Sequence, residues 1–355
     1  MRYHYWLLVS SVIAFALAGC NAQTFSPPAA APATEAQKTP TKHIPHACEP
    51  IKSSAPLAMR QRPGYQELRV SVTDHQGRQV TDLHKDDFIV TEANSTRVAE
   101  FSEYVADGPA SVVIAADTSG STYPKLPQIR ETMTQLVNNL DQRDDVAFYA
   151  VSGRPFLLQS FTTDHSLVIE RESILHAGGM TSLFDGADLA SIMASRGCYP
   201  RRAVIVISDG MDNASRKTAD DAAKEARDRG VQVYAIGIGN HETAPAHIHF
   251  GPFTTTGSEE DAVNEESLGH LTKPTGGATF QIHQEGDYEL LTAAAQAINE
   301  NLGGQYVIGF IAPALDNDLS IAVKNHSDYI VTRPRIFPAS GAPADLPTSA
   351  AGKSS

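Results

Sequence analysis

Two polar segments of this 355-residue chain could together bind a metal ion, because each follows an apolar run of strand length. Asp117, Ser119 and Ser121 alternate along the first segment, and Asp209 lies in the second. In an open sheet of parallel strands, ligands bind outside the carboxyl ends of the strands, so both segments are expected at one sheet edge. Carboxylate and hydroxyl oxygens suit a hard cation such as Mg²⁺. The sequence therefore predicts a divalent-cation site at this edge.

The elements that must position these residues follow from the hydrophobic pattern. Continuous apolar runs of strand length indicate strands that are buried on both faces, and helical patterns separate them. This alternation predicts a Rossmann-like α/β domain over 107–302, with a mostly parallel sheet and helices on both faces. Strands are expected at 112–116, 146–151, 203–207 and 231–236, and helices at 126–140, 167–175, 183–194, 219–229, 259–272 and 288–301.

A second pattern, with a period of two residues, flanks the α/β domain on both sides. Leu68, Val70 and Val72 alternate with polar residues, as in a half-buried strand, and similar short runs resume after residue 303. Each flank has too few strands to be stable alone. We therefore expect the flanks, 55–106 and 303–337, to combine in one small β-sandwich on the side of the α/β domain opposite the metal.

Three segments resemble the metal-ion-dependent adhesion site of von Willebrand factor type A domains. Residues 117–121 read Asp-Thr-Ser-Gly-Ser and are similar to the Asp-x-Ser-x-Ser signature of that family. Residues 178–185 are similar to its Gly-Thr-x-Leu-x-Asp segment, and residues 207–210, Ile-Ser-Asp-Gly, to the end of its fourth strand. The resemblance implies the following metal ligands: Asp117, Ser119, Ser121, Thr181 and Asp209.

The same resemblance implies a binding module and not an enzyme. A divalent cation, Mg²⁺ or alternatively Mn²⁺ or Ca²⁺, would keep one coordination position open for an Asp or Glu side chain of a protein partner. Asp185 and Asp212 are candidates for hydrogen bonds that support the ligands, although ordinary turn chemistry explains Asp212 equally well. Pro124, Pro127 and Met180 depart from the family pattern beside the site, and we expect them to affect the choice of partner.

The flanking segments carry a second resemblance. Val72–Arg78, Leu83–Phe88 and Gly304–Gly309 look like the "VWFA-related Acidobacterial domain" family, whose members are mostly uncharacterised exported proteins. This resemblance supports the expected architecture more than a particular function.

Other functions are compatible with the residues. A metal-assisted hydrolase would use the ion as a Lewis acid, but the sequence has no Gly-x-Ser-x-Gly motif, no phosphate-binding loop and no identifiable general base. A metal-free scaffold lipoprotein is the other alternative.

In the segment 241–253, His247 and His249 could bind a transition metal or sense pH, or could belong to a surface loop that binds nothing specific. The formal net charge of −13 argues against a nucleic-acid partner.

The first residues resemble the export signal of a bacterial lipoprotein. Arg2 precedes a short apolar run, which is typical of a signal peptide at 1–19. Leu-Ala-Gly-Cys then resembles a lipobox, which implies acylation of Cys20 and membrane anchoring through its acyl chains. Asn21 favours the outer membrane by resemblance to Gram-negative sorting, on its periplasmic or surface face. An ordinary cleaved signal with a chance cysteine is the alternative.

The remaining segments and cysteines complete the predicted organisation. Residues 20–54 are rich in Pro and Ala and are expected to form a tether, and residues 338–355 a disordered tail. Cys48 and Cys198 are expected to form a disulfide in an oxidising compartment, and two buried free thiols are the alternative.

Overall fold

The computed structural model of the chain describes residues 52–92, 95–239, 247–250, 253–256, 263–282, 288–312 and 319–333. The strands are β1 (Tyr65–Thr73), β2 (Phe88–Glu92), β3 (Ser95–Val105), β4 (Ala110–Asp117), β5 (Asp145–Val151), β6 (Phe156–Thr162), β7 (Arg201–Ser208), β8 (Gln232–Ile238), β9 (His247–Phe250), β10 (Phe253–Thr256), β11 (Thr279–Ile282), β12 (Gln305–Ile311), β13 (Ser320–Val323) and β14 (Ile330–Thr332). The helices are α1 (Leu57–Arg60), α2 (Leu126–Asn139), α3 (His165–Glu170), α4 (Leu183–Ala194), α5 (Ala219–Asp228), α6 (Glu265–Thr272) and α7 (Tyr288–Gly303). Short 3₁₀ helices cover Lys85–Asp87, Gly120–Thr122, Arg171–Ile174 and Lys273–Thr275.

A six-stranded sheet in the order β11-β8-β7-β4-β5-β6 lies at the centre of the α/β region. All neighbouring strands in it are parallel except β5 and β6. Val112 and Ile114 of β4 belong to one buried apolar cluster and Val113 and Ala115 to another, because successive side chains of a strand point to opposite faces. Helices cover both clusters, so the predicted mostly parallel α/β fold is confirmed.

Strand β4 marks the point at which the strand order reverses, since β5 lies on one side of it and β7 on the other. A crevice forms at the carboxyl end of a sheet at such a point. Asp117 is the last residue of β4, and Asp209 directly follows β7. The topology therefore brings both acids to the same edge of the sheet.

The helices agree with the sequence pattern to different degrees. Helix α4 has the expected bounds, and α2 begins at Leu126, as expected. The helix predicted over 167–175 is divided into α3 and a 3₁₀ segment. Within the described residues, the helix predicted over 259–272 begins at Glu265, where the Asn264 side chain caps it. The sequence pattern missed β6, an antiparallel edge strand with partly exposed side chains, and β11, which has four residues.

The residues on both sides of the α/β region form a second sheet in the order β13-β2-β3-β12-β1-β14, with antiparallel pairing throughout. Strand β12 of the C-terminal flank lies between β1 and β3 of the N-terminal flank. The edge strands β13 and β14 contact each other, and Val70, Tyr306 and Phe310 lie in the buried core of this sheet. The predicted combination of the two flanks is confirmed. Because their strands interleave, they form one barrel-like sheet.

The flanking sheet contacts the α/β region at the end where the parallel strands β4 and β7 of that region begin. Arg201, the first residue of β7, donates from its guanidinium to the carbonyl oxygen of Val105, the last residue of β3, at 2.7 Å. Strand β4 runs from Ala110 at this end to Asp117 at the other. The flanking sheet and the predicted metal site therefore lie at opposite ends of the same strand.

Several predicted features lie outside the described residues. They are the signal peptide 1–19, Cys20, Cys48, the tail 338–355 and most of the tether 20–54. Cys198 is disulfide-bonded. Because its possible partners Cys20 and Cys48 lie outside the described residues, the pairing with Cys48 stays a prediction. None of the described helices is long and apolar enough to cross a membrane.

Candidate metal centre

The first predicted ligands lie on a tight turn after β4. Asp117 is fully buried, and its Oδ1 accepts a hydrogen bond from the main-chain N–H of Ser119 at 2.9 Å. The hydroxyl oxygens of Ser119 and Ser121 lie 3.1 Å apart. Thr122 closes the turn, because its hydroxyl donates to the Ser119 carbonyl oxygen at 2.8 Å. The turn thus holds one carboxylate and two hydroxyls together.

The segment before α4 is hydrogen-bonded to this turn. The N–H of Gly178 donates to the carbonyl oxygen of Thr118 at 2.9 Å, and the N–H of Gly120 donates to that of Gly179 at 2.9 Å. A Cβ atom on Gly120 would lie 3.2 Å from the Gly179 oxygen, so glycine permits this close approach. Thr181, two residues farther along the same segment, is buried.

The loop after β7 joins both segments. The Ser208 hydroxyl donates to Oδ2 of Asp117 at 2.6 Å, and Asp209 is fully buried next to it. The side-chain oxygen of Asn213 accepts from the N–H of Thr181 at 2.8 Å, and the N–H of Asn213 donates back to the Thr181 carbonyl oxygen at 3.0 Å. The three loops that carry the predicted ligands therefore form one hydrogen-bonded junction.

Gly210 allows the third loop to turn at this place. Its φ is +81°, in the left-handed region that favours glycine, and a Cβ atom there would lie 2.7 Å from the carbonyl oxygen of Asn264. The N–H of Asn264 in turn donates to the Asp209 carbonyl oxygen at 2.7 Å. The start of α6 thus packs directly against the loop after β7.

Asp185 and Asp212 connect the Thr181 segment to the loop after β7. The Asp185 carboxylate accepts from the main-chain N–H groups of Arg216 and Lys217, each at 3.2 Å. The Asp212 carboxylate accepts from the N–H of Phe184 at 3.3 Å. These hydrogen bonds join the Thr181 segment to the loop after β7, and none of them reaches the Asp117 turn. Their supporting role stays a prediction.

A lysine that the sequence pattern did not single out also lies in the site. The ammonium of Lys125 is 3.3 Å from Oδ2 of Asp209, and the exposed fractions of the two side chains are 8% and 0%. The hydroxyl of Ser208 was likewise missed. The sequence marks neither residue as part of a metal site: a lysine directly before a helix opposes the helix dipole but is ordinarily solvated, and Ser208 only follows the apolar run 203–207.

The family comparison agrees with this geometry. Residues 111–273 match the family model of the von Willebrand factor type A domain. This part of the chain is a von Willebrand factor type A domain. The match covers less than half of the 355 residues and leaves both flanks outside it.

Solved structures resemble the domain at a distance. BatB from Bacteroides thetaiotaomicron is 24% identical over 54% of this chain and 98% of its own, with a TM-score of 0.44. The vWF domain of the type V pili tip protein Mfa5 from Porphyromonas gingivalis is 12% identical over 54% and 94%, with a TM-score of 0.40. Proximal thread matrix protein 1 from the mussel byssus, solved with zinc in its metal-ion-dependent adhesion site (MIDAS) motif, is 16% identical over 58% of this chain and 49% of its own, with a TM-score of 0.40. Likenesses this distant carry no argument about ligand or activity. No curated protein matches the chain.

The von Willebrand factor type A domain holds two acids close together in a buried place. The pKa of the Asp117 carboxyl is raised to about 6, chiefly by burial and also by the nearby negative charge of Asp209, although hydrogen bonds from Ser208 and Ser119 act to lower it. Uncompensated negative charge is unfavourable where water is excluded. A bound cation would therefore stabilise this part of the domain.

The donor set of the domain fits a hard divalent ion. Neighbouring ligands of octahedral Mg²⁺, each about 2.1 Å from the metal, lie about 3 Å apart, and the hydroxyl oxygens of Ser119 and Ser121 are 3.1 Å apart. Hydroxyls and carboxylates suit Mg²⁺, Mn²⁺ or Ca²⁺ better than a soft metal. Within the described ranges, no group of three or more His, Cys, Asp or Glu side chains is placed to hold a metal ion.

The hairpin formed by β9 and β10 lies in the segment that carries the predicted histidines. His247 pairs with Thr256 and His249 with Thr254 in an antiparallel register. Only the backbone of this hairpin is described, so metal binding or pH sensing by these histidines stays a prediction.

Proposed function

We propose that the von Willebrand factor type A domain binds a divalent cation, Mg²⁺ in the first instance, and through it an acidic side chain of a protein partner. The observation that carries the proposal is the hydrogen-bonded junction of three loops around the buried Asp117 carboxylate. When bound, the ion supplies a positive charge with a coordination position that a carboxylate can occupy.

The predicted ligands and the residues that orient them have different parts in this function. Asp117 and Asp209 hold the ion by charge, whereas Ser119, Ser121 and Thr181 contribute neutral oxygens that add no further negative charge to the site. The hydrogen bonds from Ser208 and from the Ser119 N–H orient the Asp117 carboxylate before the ion binds. This preorganisation lowers the entropy that must be lost on binding.

Exposed apolar side chains around the site favour a protein partner over a small acid. Tyr123, Met180 and Met211 are 73%, 55% and 39% exposed. Each lies within two residues of a predicted ligand, in a different loop of the junction. We name these three residues the apolar rim. Large exposed apolar residues around a polar centre are typical of protein interfaces, where aromatic residues and methionine are enriched.

The proposal includes export and anchoring of the protein by a lipid on Cys20. The lipobox-like segment at 17–20 supports it, as does the disulfide at Cys198, since disulfides persist in oxidising compartments. Acyl chains on Cys20 would hold the domain at the membrane surface, where a partner in the cell envelope can reach it.

Affinity capture from envelope extracts tests the proposal. The full chain is immobilised and exposed to extract in Mg²⁺ or in EDTA, and bound proteins are identified by mass spectrometry. A second portion of extract is first treated with carbodiimide and glycinamide, which convert exposed carboxylates to amides. We expect proteins that bind in Mg²⁺, elute with EDTA, and no longer bind after amidation, whereas mock-treated extract retains binding.

Variants separate the contributions of the ion and the rim. Ser121→Ala is expected to abolish capture, and Ser166→Ala, a matched change at an exposed serine in the first turn of α3, to leave it unchanged. Met180→Ser should weaken capture while Mg²⁺ binding stays intact. Capture that is equal in Mg²⁺ and EDTA would favour the metal-free scaffold instead. Metal-dependent cleavage of the captured protein would favour a hydrolase.

A further inference from the structure

The ammonium group of Lys125 lies against a ligand carboxylate in the interior of the metal site. Its Nζ is 3.3 Å from Oδ2 of Asp209, and both side chains are buried. Lysine is almost never fully buried unless it is paired. The other oxygen of the Asp209 carboxylate accepts from the N–H of Met211 at 3.1 Å, which fixes the direction in which the carboxylate faces the lysine.

Local helix formation does not explain a lysine at this position. Lys125 is the N-cap residue of α2, a helix of 14 residues. The N-terminal end of a helix carries partial positive charge, so a cationic side chain there is unfavourable. The contact with Asp209 offsets this disadvantage, which ties Lys125 to the site and not to the helix.

The lysine changes the charge of the site. Asp117 and Asp209 contribute two negative charges, and Lys125 contributes one positive charge beside them. For the same bound ion, the lysine makes the charge of the site one unit more positive than it would be without the lysine. A more positive site holds a cation less tightly and attracts an anion more strongly.

We propose that Lys125 sets the balance between the two affinities of the site: it weakens the affinity for the divalent ion and strengthens the attraction of the loaded site for a carboxylate. The first half concerns the metal alone. The second half rests on the proposed function. A unit charge about 5 Å from a divalent ion changes the affinity by about tenfold even at the dielectric constant of water, and exclusion of water increases the effect.

Calorimetric titration of Mg²⁺ and Mn²⁺ into the purified full chain tests the first half. Lys125→Met removes the charge and keeps an unbranched side chain, and Lys125→Arg is the matched control that keeps the charge. We expect about tenfold or tighter metal binding by Lys125→Met, with Lys125→Arg within about threefold of the wild type. Equal or weaker binding by Lys125→Met would overturn the inference. If circular dichroism shows that this variant is unfolded, Lys125→Gln takes its place.

Displacement of water by acetate tests the second half. The wild type and Lys125→Met are loaded with Mn²⁺, and water-proton relaxation is followed as acetate is added. We expect acetate to displace water from the wild type at concentrations several-fold lower than from the variant. Displacement at the same concentration in both proteins would overturn this half. No displacement from either protein, together with tighter metal binding by the variant, would refute the proposed function and leave the effect of Lys125 on the metal intact.

Discussion

Replacing Asp117 with asparagine is expected to stabilise the metal-free protein at pH 7.5 and to remove its response to Mg²⁺. The pKa of the Asp117 carboxyl is about 6 in the folded protein, above its ordinary value of 3.8. The folded state therefore holds this proton more tightly than the unfolded state. The resulting contribution to stability is full below pH 3.8 and is lost as the pH rises through 6.

The magnitude follows from the shift of the pKa. At about 1.4 kcal/mol per unit, ionised Asp117 lowers the free energy of unfolding by about 3 kcal/mol at pH 7.5. Asparagine retains an oxygen acceptor for the Ser119 N–H but presents an amide to the Ser208 hydroxyl, which costs about 1–2 kcal/mol. We therefore expect a net stabilisation of about 1–2 kcal/mol in EDTA. In contrast, Mg²⁺ at a hundred times its dissociation constant stabilises the wild type by about 2.7 kcal/mol and should not stabilise the variant.

Urea unfolding followed by circular dichroism measures both effects, at pH 5.0 and 7.5, in EDTA and in Mg²⁺. The matched control is Asp144→Asn. Asp144 directly precedes β5 at the amino end of the sheet, and burial raises its pKa to about 7. Asp144→Asn should also stabilise the metal-free protein at pH 7.5 but keep the full response to Mg²⁺. The reasoning is refuted if Asp117→Asn is less stable than the wild type in EDTA at pH 7.5, or if Mg²⁺ stabilises it as much as the wild type.

Three further predictions concern other parts of the molecule. Ser208→Ala removes the 2.6 Å hydrogen bond to Asp117, so calorimetry should show Mg²⁺ binding that is several-fold weaker. Ser208→Thr keeps a hydroxyl and should bind Mg²⁺ like the wild type. Equal affinities of the wild type and both variants would contradict a role of Ser208 in orienting Asp117. Tyr306→Phe removes the hydroxyl that accepts a main-chain N–H at 2.9 Å in the flanking sheet, so urea unfolding should show a loss of about 1 kcal/mol with an unchanged Mg²⁺ response. Mass spectrometry of non-reduced tryptic peptides should find Cys48 linked to Cys198, and free thiols at both positions would reject the disulfide.

The sequence predicts the central sheet and the place of the site for a simple physical reason. The strands around Ile114 and Ile205 are buried on both faces, so they appear as continuous apolar runs. The position of polar residues directly after such runs is enough to place Asp117 and Asp209 at one sheet edge. Thr181 could be added because the segment around it matches a family pattern, although its contacts with Asn213 connect residues that are distant in sequence.

Lys125 and β6 could not be predicted in the same way. A lysine before a helix is ordinarily solvated, and only the packing of α2 against the sheet brings its ammonium to Asp209. Strand β6 lies at an edge with its first residue, Phe156, exposed, so its sequence lacks both the continuous run of a buried strand and a clean alternation. The interleaving of the flanking strands also could not be predicted, because it depends on pairing between strands that are far apart in the sequence.

The position of β12 between β1 and β3 determines when the flanking sheet can be completed during synthesis. Val70 and Tyr104 both pair with Tyr306, so β1 and β3 stay without their shared neighbour until the α/β region has been made. Folding of that region then brings Gln305 beside Val105, which greatly shortens the chain segment that must be closed. A chain cut short before β12 would expose strand edges that readily aggregate. Assembly of this sheet therefore reports that synthesis has passed the α/β region and reached β12.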